Sequence, residues 1–297
     1  MQVAIHLGAH ATSGDLLRYT LVANAETLKS HGLSCVDPDA YRVDLETTTR
    51  KFEFAPPPRV QKRIAAKASS FPDPGRIVIS YEDILCPPQR VFQNGLLYDA
   101  AANVPALLRA MFSKHEVGFY LAIRNPATFI PSVFDACLKR PADLGAFLQG
   151  TNLDLMRWSD VVFAIREAAP DCPLTVWCHE DSPFIWPQIL HAVAGLSDPI
   201  PIRGEFDIIK QIMTPEGMQL MLAELSENRP DSMQGLMLVI ARFLEDHAIE
   251  EEVVQTLDLP GWTPEIVASL TRDYNDDLPE IAAMEGVRLI IPEGSAE

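Results

Sequence analysis

Apolar positions along the chain fall into two kinds of run. VAIHL (3–7), RIVIS (76–80), VGFYLAI (117–123) and LTVWC (174–178) are short and apolar almost throughout, the pattern of strands covered on both faces. Between them, segments 14–30, 60–70, 103–112, 126–138, 154–168 and 185–194 carry apolar side chains at i, i+3 and i+4, which predicts amphipathic helices. This alternation predicts an α/β fold with a central parallel sheet, three layers deep. From about residue 205 the pattern is almost wholly helical, through acidic LEDHAIEEEVV (244–254) to YNDDLPEIAAMEGVRLIIP (274–292). The expected organisation is an α/β domain over 1–204 and a mostly helical C-terminal subdomain over 205–297, packed on it.

Local punctuation sharpens two of these elements. Ser13 or Gly14 can cap the first helix, Leu17, Leu21 and Leu28 give it an apolar face, and Gly32 follows its end. Asn125 can cap the helix that begins near Pro126. FEFAPPPR (52–59) reads as a loop, because three consecutive prolines cannot join a helix interior.

Composition narrows the class. With 297 residues, 47% hydrophobic and 22% charged, the chain can bury a large core and shows no disordered tract or repeat period. Its 41 acidic and 24 basic side chains give a formal charge of −17, which repels nucleic acid and anionic membranes. An anionic ligand therefore needs a local site. The 5 cysteines include no C-x-x-C spacing, so reduced thiols are expected and not a disulfide framework or zinc ribbon. No basic leader and no apolar run of ~18 residues is visible, so a cytoplasmic protein without membrane insertion is expected. The sequence leaves the oligomeric state open.

The candidate chemistry starts at HLGAHATSGDLL (6–17), a strand end, a small-residue turn and a helix start. In an α/β sheet this turn lies at the carboxyl edge, where the helix offers unpaired N–H groups and a partial positive charge to a phosphate. Gly8, Ala9, Ser13 and Gly14 are small enough for close approach, and equally suit tight packing with no ligand. Thr12 and Ser13 carry hydroxyls, His10 is a donor, and Ala11 offers nothing. Asp15 stabilises the helix dipole but competes with a phosphate for the same amides. A second segment, LAIRNPATFIPSVF (121–134), delivers Arg124 at a strand end and Ser132 eight residues later. Arg124 and Ser132 can converge on one phosphate on the same edge.

Together these segments resemble the sulfotransferase superfamily, whose bacterial sulfotransferase-like members open with a GAHKTGTT-like turn. Gly8, Ala9, His10 and Thr12 match it without a gap. Leu17, Leu21, Asn24, Leu28, His31 and Gly32 match the helix that follows. Arg124 and Ser132 match the family's 3′-phosphate element, and VWCHEDSP (176–183) resembles its later strand and acidic turn. The resemblance implies a P-loop-type fold, 3′-phosphoadenosine-5′-phosphosulfate (PAPS) or its desulfated product (PAP) as cofactor, and sulfuryl transfer to a hydroxyl or amine of a small-molecule or glycan acceptor. The family's turn lysine falls at Ala11, its glycine at Ser13, and its paired Ser/Thr at Gly14 and Asp15. Losing a cation at the leaving oxygen costs ~3–4 kcal/mol of transition-state stabilisation, by analogy with one oxyanion donor. A non-catalytic nucleotide-binding or scaffold protein of the same descent is the alternative.

RIVISYEDIL (76–85) brings Ser80, Glu82 and Asp83 to another strand end. Glu82 is the candidate general base, with His10 as a second catalytic candidate, and Ser80 can assist the 3′-phosphate. Equally, Glu82 and Asp83 can simply cap the next helix. His179, Glu180 and Asp181 read as a polar turn, and no metal is expected. Trp158, Trp177, Trp186 and Trp262 read as core.

Overall fold

Strands form where apolar side chains recur on both faces of an extended segment, and here they assemble as one parallel sheet. The computed structural model describes residues 1–51, 55–137, 144–196, 200, 202–253 and 261–292. Its strands are β1 (Gln2–His6), β2 (Leu33–Cys35), β3 (Arg76–Ser80), a hairpin of β4 (Phe92–Gln93) and β5 (Leu96–Leu97), then β6 (Glu116–Ile123), β7 (Leu174–Cys178) and β8 (Val287–Ile290). Six of them form a sheet in the order β2-β3-β1-β6-β7-β8, with every ladder parallel. The three-layer α/β expectation therefore holds. After β1 the chain goes to one side of it for β2 and β3 and to the other for β6 to β8, so β1 marks the topological switch point.

Side-chain alternation sends each strand into two cores. Val3, Ile5, Leu7, Ile77, Ile79, Phe119, Leu121, Leu174 and Val176 join the face covered by helices Val104–Met111, Pro126–Cys137, Trp158–Ala168 and Pro264–Ala283. Ala4, Val78, Ala122 and Trp177 join the other face, under helices Gly14–Ala23, Ser182–Ala194, Pro215–Glu227 and Met233–His247. Each fully buried Ile, Leu or Phe in these cores contributes ~1.5–3 kcal/mol relative to exposure.

The segment after residue 205 contributes to both cores: Met213, Met218 and Leu236 lie on one face, Tyr274 and Ile281 on the other. It also contains a strand that the helical pattern hides, because β8 pairs with β7 at the sheet edge. The first helix is shorter than its periodicity suggests. It stops at Ala23, and a second helix runs Ala25–Ser30. The Asn24 side chain donates to the Arg203 carbonyl and accepts the Arg203 N–H, tying the break to the far segment. In the proline-rich stretch, residues 52–54 lie outside the described residues, whereas Pro58 opens the helix Pro58–Lys67, where its missing N–H costs nothing. Position 138 of the 126–138 pattern and position 254 of the acidic stretch also lie outside the described residues.

Helix Trp158–Ala168 receives its cap from a distant element. Arg157 at its N-cap position makes no side-chain cap bond, and Asp277, 4% exposed, accepts the Ser159 N–H at 3.0 Å. Asp277→Ala should lower stability by ~1–3 kcal/mol, the range for a lost cap at a buried amide. Urea unfolding would show this as a lower midpoint with an unchanged slope, and an undiminished midpoint would remove the cap from the account.

Candidate functional site

The turn after β1 sits where β1 and β6 end together, and the sheet continues into it. Ala122 donates its N–H to the Gly8 carbonyl, and Ala9 donates to Ala122. Gly8 adopts φ +105°, a conformation that side-chain-bearing residues rarely reach, so the turn needs glycine there. The Thr12 hydroxyl points inward and donates to the Ala9 carbonyl at 2.6 Å. Ser13 occupies the N-cap position with left-handed backbone and makes no side-chain cap bond.

His10 is the centre of a buried brace. Its backbone N–H donates to the Tyr98 hydroxyl at 3.0 Å, Nδ1 lies 2.7 Å from the same oxygen, and Nε2 lies 2.9 Å from Asp83 Oδ1. Burial keeps the Tyr98 phenol protonated, so we assign its proton to the bond with Nδ1, leaving Nε2–H to face Asp83. Burial alone would raise the Asp83 carboxyl. The hydrogen bond from His10, the Tyr81 hydroxyl and Arg42 outweigh it and hold Asp83 below the usual carboxylate range. The chain of bonds continues through Tyr81, whose hydroxyl lies 2.7 Å from Glu46 and 3.0 Å from Asp83. Both ring nitrogens of His10 are thus committed, and work as a base requires one of these bonds to open.

Arg124 arrives from the end of β6 and reaches the turn from the other side. It is 6% exposed; Nη1 donates to the Ala11 carbonyl and Nε to Thr128 Oγ1 at 3.1 Å. Two tryptophans fix this strand end: Trp158 Nε1 donates to the Arg124 carbonyl at 2.8 Å and Trp262 Nε1 to the Ala127 carbonyl at 3.0 Å. Asn125 caps the following helix as expected, its Oδ1 accepting the Ala127 N–H at 3.0 Å. His179 lies against the same turn, bonded to the Thr12 backbone; burial, with Arg124 beside it, pushes its pKa down to about 4. Next to it, burial and Glu180 push the Asp181 carboxyl up to about 6.

The carboxylate at the helix end is Glu82. Asp15 is exposed and paired outward to Arg18 at 3.0 Å, whereas Glu82 accepts the Gly14 N–H. The competitor expected at position 15 is therefore at position 82, because a side chain in the first helical turn points along the helix surface while the end of β3 faces the amides. Burial raises the Glu82 carboxyl above its usual range against the pull of His10, and Asp15 and Asp83 add to the rise. Ser80 does not face a ligand position. Its hydroxyl lies 3.0 Å from His6 Nδ1 and its N–H donates to the Tyr41 hydroxyl. Ser132 is half-buried on helix Pro126–Cys137, ~9 Å along the axis from Pro126 at 1.5 Å per residue.

The structure thus gathers Gly8, Ala9, His10, Ala11, Thr12, Ser13, Gly14, Glu82 and Arg124 around one turn, turns Ser80 into the core, and sets Ser132 further along its helix. Tyr98 and His179 join the group without having been singled out for it. Asn94-Gly95, the hairpin turn between β4 and β5 that delivers Tyr98, was the available signal. Among the described residues, no group of three or more His, Cys, Asp or Glu side chains is placed to hold a metal ion, and no helix is long and apolar enough to cross a membrane. No model of a known protein family, no curated protein and no solved structure matches the chain.

Proposed function

We propose that the edge formed by the ends of β1 and β6 is a sulfotransferase-like nucleotide site, taking PAPS or PAP through its 3′-phosphate. The observation that carries this reading is Arg124, a buried guanidinium delivered by β6 onto the first turn at the sheet's switch point. Ser132 on the following helix would supply a hydroxyl to the same phosphate. In a transfer reaction Glu82, raised by burial, would take the proton of a hydroxyl or amine acceptor.

A second reading, a nucleotide-binding or scaffold protein without transfer, is favoured by the closed state of the turn. Ala11 brings no cation, His10 is fully bonded and Glu82 already sits on the Gly14 amide. The transfer reading and the nucleotide-binding form of the second reading both require a 3′-phosphate site. Thermal unfolding with 3′,5′-adenosine bisphosphate should therefore show a larger upward shift than with AMP. Binding to the folded state alone adds ~2.7 kcal/mol at a hundredfold excess over Kd. Equal shifts, or none, would overturn the nucleotide site.

A further inference from the structure

The helix Pro58–Lys67 carries Arg59, Lys62, Arg63 and Lys67 and no acidic residue, in a chain whose formal charge is −17. Ile64, 0% exposed, fixes its inner side. The four cations follow one another at helical spacing, so they share the outward side, and all are exposed. From Arg59 to Lys67 the stripe runs ~12 Å at 1.5 Å per residue. Arg63 and Lys67 hold Asp44 of helix Arg42–Lys51 between them, at 3.2 and 2.7 Å. Arg59 and Lys62 make no ion pair among the described residues.

This placement works against the helix itself. Arg59 lies in the first turn, where the partial positive charge of the helix end disfavours a cation, and like charges three and four residues apart repel. A local choice that costs helix stability marks a surface with another use. Beside the stripe opens a cleft of about 660 Å3, lined in part by Ala65, Ala66, Ser69, Phe71, Pro72 and Pro74. Ala66 follows Lys62 by four residues, so the cleft begins on the same side of the helix.

We propose that this face docks a short acidic segment of a partner protein, with its carboxylates on Arg59 and Lys62 and one apolar side chain in the cleft. Asp44 shows the mode, because it sits between Arg63 and Lys67 as a partner's carboxylate would sit between Arg59 and Lys62. A short segment suits the surface better than nucleic acid or an anionic membrane. The stripe is little longer than the ~8 Å screening length at physiological ionic strength, so an extended polyanion would lay its further charges on a chain with 41 acidic side chains. A phosphate backbone or a layer of headgroups would also leave the cleft unfilled.

Fluorescence anisotropy of the full chain with a labelled oligoglutamate peptide carrying one central phenylalanine tests this. Arg59→Glu combined with Lys62→Glu should weaken binding at least about tenfold. The thermal midpoint should hold, because both side chains are exposed and glutamate is favourable near a helix start. Replacing the peptide's phenylalanine by serine should weaken binding about fivefold or more. No binding by the wild type, undiminished binding by the double variant, or indifference to the phenylalanine overturns the proposal. So does tighter binding of an oligothymidylate or of phosphatidylserine vesicles that the same double variant abolishes. Should the double variant unfold, Lys62→Gln alone carries the comparison, with a loss of about twofold or more expected and an unchanged affinity overturning the proposal.

Discussion

Arg124→Met should unfold about 2–3 kcal/mol more easily than the wild type and should lose any preference for 3′,5′-adenosine bisphosphate over AMP. Methionine keeps the length and much of the packing of the side-chain stem, so the loss isolates the guanidinium. That group donates to the Ala11 carbonyl and to Thr128, which links the first turn to the first turn of helix Pro126–Cys137. Without it two acceptors at a largely enclosed strand end lose a charged donor. Removing a buried charge also relieves its desolvation, which keeps the net loss at the modest end of the range for a broken buried network. His179 supplies a second readout, because Arg124 is the second cause, after burial, that lowers it. In the variant the ring should titrate at a higher pH, followed by its NMR shifts. A variant with wild-type stability and an unmoved His179 would show that Arg124 does not tie the turn. Retained nucleotide preference in a folded variant would place the phosphate elsewhere.

How far the sequence speaks for this site depends on the range of each interaction. The four short apolar runs are legible because a strand buried on both faces needs apolar residues at nearly every position. β2 escapes notice at three residues, and β8 because its edge position leaves Arg288 exposed inside an otherwise apolar stretch. Asn125 is legible as a cap because the bond to Ala127 is local. Asn24 is not legible as a helix break, since its partner Arg203 stands 179 positions away. The same limit governs the turn. Asp15 and Glu82 are both acidic and both near a helix start in some register. Only the pairing of β1 with β3, which sets His6 beside Ser80, shows which carboxylate meets Gly14. His10 is a further case: its partners are 88 and 73 positions away, so its commitment to Tyr98 and Asp83 is a property of the fold and not of the motif.

His6 makes stability depend on pH in a direction that can be fixed in advance. Burial pushes its pKa down to about 4 from the ordinary 6.5, with the Gly8 backbone opposing. Between those values the unfolded chain holds a proton that the folded chain lacks, so stability is fully present above about pH 6.5 and is lost as pH falls towards about 4. Two and a half units at ~1.4 kcal/mol each amount to about 3–4 kcal/mol. His179 works in the same direction, whereas Asp181, raised to about 6 by burial and Glu180, gains protons in the folded state and works against it. The wild-type profile alone therefore mixes opposite signs, and the difference from His6→Gln isolates the imidazole. Glutamine cannot titrate and still offers an amide to Ser80 and the Gly8 carbonyl, so the variant should be somewhat less stable near neutrality from lost stacking on Trp177. The gap between the two proteins should then close, or reverse, by about 3 kcal/mol from about pH 7 to about pH 4 in urea titrations. Parallel curves across that window would mean that His6 takes up its proton in the folded state.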